Sequence, residues 1–108
     1  MQTAEQIETT INGRKCATVV LQEPVKRGET LIASIQLMKP RTADLRGLQI
    51  PQVLEMDVDA LTKLLPRITV PTLTKPDIDN LDPADLVACA MGVAGFLVPK
   101  SAMDLPLA

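Results

Sequence analysis

The clearest alternation of apolar and polar positions lies in the first third of the chain. Residues 17–22 are apolar and β-branched, and predict a strand. Residues 30–38 predict a second, with Leu31, Ala33, Ile35 and Leu37 on one face and Ile32, Ser34, Gln36 and Met38 on the other. Between them Pro24, which has no N–H to donate, ends the ladder, and Gly28 suits a positive φ. The two strands read as an antiparallel hairpin with a long loop over residues 23–29. A lone hairpin is barely stable, so helices must cover its apolar face. Residues 1–16 are polar and poorly patterned, with a turn signal at Asn12-Gly13. They predict a loose N-terminal arm or a third, edge strand.

After Pro40 the period becomes helical. Residues 42–47 predict one or two helical turns, capped by Thr42 and stopped by Gly47. Pro51 fits the opening of a further short helix. Asp57 caps a better helix over residues 58–65, whose apolar stripe is Val58, Leu61, Leu64 and Leu65 and whose terminator is Pro66. Residues 68–74 read as a proline-punctuated loop, and residues 75–81 as a turn or a single helical turn. Asp82-Pro83-Ala84-Asp85 is the strongest helix start in the chain, with a cap, a first-turn proline and an acid near the positive helix end. It predicts a last helix over about residues 83–98, stopped by Pro99, and a loose tail over 100–108. The fold class is α+β, with a β-hairpin packed against three or four short helices in a single domain over residues 1–108.

The last helix has no polar face. Leu86, Ala90, Val93 and Leu97 share one side, Val87, Met91, Ala94 and Val98 another, and Cys89 and Phe96 fill between. A helix apolar all round is either buried in its own domain or covered by a partner. Gly inside a helix costs roughly 1 kcal/mol against Ala, so Gly92 and Gly95, with Ala88, point to close packing. The uncharged stretch from Leu86 to Pro99 falls short of the ~20 residues needed to span a bilayer. Leu86, Ala90, Met91, Val93, Phe96 and Leu97 are the candidate partner-binding residues.

Composition narrows the chemistry. The chain has 108 residues, 46% of them hydrophobic, but Phe96 is its only aromatic and it has no His. Imidazole bases, His metal ligands and aromatic stacking platforms are therefore excluded. A net charge of −2 argues against a phosphate-binding surface. The Asp runs lack the Gly and closing Glu of a calcium loop, and no phosphate-cradling loop precedes a helix. The reading is a non-enzyme without cofactor or metal, binding neither nucleic acid nor membrane. Residues 1–75 carry 10 basic and 8 acidic side chains and residues 76–108 carry 1 and 5. The excess acid serves helix starts or forms an acidic lip for a basic partner. Cys16 and Cys89 read as reduced thiols of a cytosolic protein, with one long-range disulfide as the rival. The polar N-terminus lacks the apolar core of a secretory signal.

Three segments read together. They are residues 24–29 leading into the second strand and residues 39–48, residues 56–69, and residues 81–86. In order and spacing they resemble the tail assembly chaperone family of contractile-tailed phages and prophages, over about residues 18–99. The resemblance implies a protein that binds the helical tape measure protein. It keeps that client soluble until tube protein polymerises, works in the cytoplasm of the bacterial host, and is absent from the finished particle. It also implies a longer frameshift product of the same gene, and Gly95-Phe96-Leu97 is compatible with the slippery codons GGT-TTT-TTG. A structural subunit of the tail, in its tube or connector, is the alternative. A chaperone's exposed apolar surface would also favour self-association of the free protein.

Overall fold

The computed structural model describes residues 9–11 and 13–98. The loose tail expected over 100–108 and the first eight residues of the expected arm lie outside the described residues. The fold is α+β, a hairpin-based antiparallel sheet covered by short helices. Four strands, β1 (Thr9–Ile11), β2 (Arg14–Arg27), β3 (Thr30–Met38) and β4 (Thr69–Val70), lie in the order of the chain. The third, edge strand exists: β1 pairs with Arg14, Lys15 and Cys16. Residues 14–16, assigned above to a loose arm, are thus the start of β2.

The hairpin is longer than its sequence pattern predicts. β2 does not end at Gln22 but runs through Pro24, and the turn to β3 is only Gly28-Glu29, with Arg27 opposite Thr30. Gly28 has the positive φ expected of it, at 60°. Pro24 is tolerated because the register breaks there. Val20 faces Ser34 and Val25 faces Ile32, so residues 21–24 of β2 stand against Ala33 alone. A proline inside such a bulge removes no ladder bond. The bulge also overturns the predicted faces of β3. Ile35 and Leu37 are buried as expected, but beyond the bulge Ile32 is buried and Leu31 is 63% exposed. Extra residues in one strand raise the local twist, so the far half of the hairpin turns its other face to the body.

Four helices follow a 3-10 turn at Thr42–Leu45: α1 (Ile50–Leu54), α2 (Val58–Ile68), α3 (Lys75–Asp79) and α4 (Pro83–Leu97). The 3-10 turn is closed by Asp44, whose carboxylate accepts from Arg41 N at 2.9 Å, rather than by Thr42. Arg14 donates to Asp44 at 2.8 Å and Arg67 donates to the carbonyls of Asp44 and Arg46, which ties the turn to β2 and α2. α2 starts where predicted, with Asp57 accepting from Ala60 N at 3.0 Å. It does not stop at Pro66, which lies inside it. Pro66 forfeits one helical hydrogen bond, but continuing for two residues buries Ile68 completely. The Thr69 hydroxyl then donates to Leu65 O and accepts from Leu73 N, finishing the helix end. β4 follows directly, within a segment whose prolines predicted only loop.

The core is aliphatic. Ile35 and Leu37 of the sheet meet Leu61, Leu64, Leu65 and Ile68 of α2, Val53 of α1, and Cys89 and Val93 of α4. α4 lies across β2 and β3, α2 beside β3, and α3 against β2.

Candidate partner-binding surface

α4 is placed by polar contacts at its N-terminal end. Asp82 caps it, accepting from Ala84 N at 3.2 Å, and Pro83 takes the first turn. Asp85 does more than favour the helix dipole. Its side chain is almost wholly buried, and its two oxygens accept from Gln22 N at 2.7 Å and Glu23 N at 3.0 Å. Those N–H groups belong to the bulged stretch of β2, which the ladder leaves without β3 partners. One carboxylate thus satisfies the bulge and fastens the helix start to the sheet.

Beyond Asp85, one side of α4 enters the core. Cys89, Ala90 and Val93 are fully buried, and Leu86, Phe96 and Leu97 are half-buried at its margins. Gly92 is needed there, since a Cβ on it would sit 2.8 Å from the Leu37 side chain, whereas a Cβ on Gly95 would meet nothing. The other side faces out: Val87 is 47% exposed, Met91 61% and Val98 39%. The spacing of four and seven residues makes these one stripe along the helix. A surface groove of about 540 Å³ separates α4 from β2, lined by Ala17, Thr18, Val19, Val20, Ala88 and Gly92. Neighbouring α1 adds exposed Ile50 and Leu54.

The six candidate residues therefore do not form one surface. Ala90 and Val93 point inward, Met91 points outward, and Leu86, Phe96 and Leu97 lie between. Val87 and Val98, left out of the candidate set, join Met91 on the open side. Helical spacing separated the two sides, but no sequence signal said which of two equally apolar faces the sheet would take.

The acidic excess is mostly consumed by structure. Asp77 accepts from Thr74 N and the Thr74 hydroxyl and pairs with Arg27, which also donates to Thr72 O. The Thr74 backbone N–H first, and the Arg27 guanidinium second, hold the Asp77 carboxyl below its ordinary 3.8. Asp82 caps α4 and Asp85 clamps the bulge, whereas Asp79 stays exposed. Cys16 and Cys89 are both free and buried. Burial, reinforced by Asp85, pushes the Cys89 thiol up to about 11, so it stays protonated and unreactive. Among the described residues no three Cys, Asp or Glu side chains converge as a metal-binding group, and no helix is long and apolar enough to cross a membrane.

Comparison with known proteins assigns the chain to a family. The family described as phage tail assembly chaperone proteins E, or 41 or 14, matches residues 18–98. This chain belongs to that family. The chaperone's curated relatives include tail assembly protein E of Escherichia phage P2, 48% identical over 83 residues. That match covers 77% of this chain and 91% of the relative. Tail assembly protein E′ of the same phage is 49% identical over 82 residues, 76% of this chain. The chaperone spans only 58% of that longer relative. No solved structure gives a significant match. The matched residues begin inside β2 and end one residue past α4, so they take in the clamp, the exposed stripe and the groove lining other than Ala17.

Proposed function

We propose that this chaperone binds the tape measure protein of its phage and keeps that client's apolar helices soluble until tube protein polymerises around it. The exposed stripe Val87, Met91 and Val98 carries this reading. A helix fastened to the sheet by Asp85 and uncharged beyond it, with one apolar side left open, offers a helical client a groove-and-ridge surface and no chemistry. Met91 at its centre is flexible and polarisable, which suits a client whose helices vary in sequence. Leu86, Phe96 and Leu97 form the margins of this surface, and Ala90 and Val93 support it from below. No side chain here is asked to act as a catalyst, and no cofactor enters.

The chaperone works in the cytoplasm of the infected or lysogenic host and leaves before the particle is finished. The pair E and E′ in phage P2 supports a longer form of this chain as a second participant, made by frameshifting and bridging to tube protein. Co-expression with the tape measure protein of the same gene cluster tests the reading. Soluble tape measure that co-elutes with the chaperone is the expected result. An unchanged insoluble fraction with no complex overturns it. Mass spectrometry of purified particles separates it from the alternative, because a tube or connector subunit would remain in them. The gene provides a further check: a Phe96 codon of TTC removes the slippery site at residues 95–97.

A further inference from the structure

The charges of the chain are sorted between the two ends of α4. The helix starts where Asp85 meets Gln22 and Glu23, and by Gly92 it lies over Leu37, which is paired with Ala17. It therefore runs against the direction of β2, and its last turn lies at the end of the sheet where β2 begins and β3 finishes. Basic side chains gather at that end. Arg14 donates to Lys39 O and pairs with Asp44, Arg67 donates to the carbonyls of Asp44 and Arg46, and Asp44 accepts from Arg41 N. The segments that supply them, residues 9–22, 39–49 and 60–76, contain a single acid, Asp44. Arg14 already occupies it. Lys39, Arg41, Arg46 and Arg67 are exposed, and among the described residues none of the four pairs with a carboxylate. The other end of α4 is acidic. Asp82 caps it, exposed Glu23 is bonded to Asp85 through its N–H, and exposed Asp79 precedes the cap by three residues.

We propose that this basic end receives an acidic flank of the client, so that the segment the chaperone holds is a helix with one apolar side and Asp or Glu in a terminal turn. This rests on the client reading of the α4 stripe and adds a polarity to it. From Val87 to Val98 the stripe extends roughly 16 Å, about three turns of helix. A client helix laid along it and longer than the stripe passes Val98 toward the basic end. Carboxylates in that flank meet guanidinium and ammonium groups that no acid of the fold neutralises. Carboxylates in the opposite flank meet Asp79, Asp82 and Glu23. Arginine suits the task, because its planar fork offers a carboxylate two parallel N–H donors. A nucleic acid fits less well. Its phosphates continue past the patch onto a surface whose acids bring the net charge to −2, and Phe96 is the only aromatic available for stacking.

Fluorescence anisotropy of the full chain with labelled synthetic peptides tests it. Three helical peptides share one Leu-rich face and differ only in a terminal turn of Glu, Gln or Lys. At low salt the Glu peptide is expected to bind about tenfold more tightly than the Gln peptide, and the Lys peptide more weakly than either, with the differences collapsing at high salt. The Arg41→Glu, Arg46→Glu double variant, changed only at exposed side chains and checked for folding by circular dichroism, should reverse the order. Lys39→Glu alone, at a third exposed side chain, should shrink the preference. Met91→Asp should weaken all three peptides and keep their order. Equal binding of the three peptides overturns the acidic flank and leaves the client surface on α4 standing. A preference for Glu that the Arg41→Glu, Arg46→Glu and Lys39→Glu changes leave untouched overturns it too. Binding of none of the three removes the α4 surface and the acidic flank with it. A thymidine oligonucleotide that displaces the Glu peptide with equal affinity makes the basic end a general polyanion site and also overturns the proposal.

Discussion

α2 and α4 are the two long helices of this chaperone, and they meet water differently. α2 has a narrow apolar stripe that enters the core beyond its first turn, with Leu61, Leu64, Leu65 and Ile68 buried and Asp59, Lys63 and Arg67 outside. Nothing in that stripe remains unpaired with the fold except Val58 at its first turn. α4 buries a comparable set, Cys89, Ala90 and Val93, and then shows water a second apolar side. A helix whose polarity divides cleanly is explained by its own domain. One whose apolar residues exceed what the domain can cover has surface to spare for another chain.

The comparison breaks most readily at Val93 and Met91. Val93→Asp puts an unpaired charge into the core and should abolish cooperative unfolding, a loss of at least about 4 kcal/mol. Met91→Asp, two residues away, should change urea stability by no more than about 0.5 kcal/mol while removing tape measure binding. If both variants unfold, α4 is core on every side and its difference from α2 disappears. The next effect concerns what holds α4 in place. Asp85→Ala deletes two charge-assisted hydrogen bonds, and a cost of about 2–3 kcal/mol is expected in denaturant titrations. A loss no larger than that of a surface substitution would mean that the bulge does not depend on the carboxylate.

Smaller effects sharpen the picture. Gly95→Ala should stabilise by up to about 1 kcal/mol, because it gains helix propensity in open space. Gly92→Ala should gain nothing net, since its Cβ would press on Leu37, and thermal melts of the two variants would show the ordering directly. The smallest effect belongs to Asp77. Its folded pKa lies below its unfolded 3.8. The stability it contributes is therefore full above pH 3.8 and is lost as pH falls below that value through the folded pKa. The melting temperatures of wild type and Asp77→Asn should differ at neutral pH and converge in that acid window.

Much of this was legible from residue order alone. Caps are local chemistry, so Asp57, Asp82 and Pro83 announced α2 and α4 within a residue or so. Gly28 announced its turn. Two prolines misled. Pro24 and Pro66 are breakers by local rules, yet one lies in a bulge that needs no donor, and the other in a helix whose continuation buries Ile68. The shift in β3 from Ile35 and Leu37 to Ile32 was invisible because it arises from extra residues in the partner strand. Asp85 was read as a helix-start acid, since nothing near it in sequence shows that the N–H groups of Gln22 and Glu23 await it.

The sequence by itself determined the α+β class, the positions of the helix starts, the absence of imidazole and aromatic chemistry, and a last helix without a polar face. These follow from propensity, capping and composition, which act over a few residues. Only the tertiary structure decided which apolar side of that helix is core and which is surface. That choice is a long-range one. It depends on a buried carboxylate meeting a bulge some sixty residues away and on a glycine that lets the helix settle against Leu37, and neither contact has a local signature.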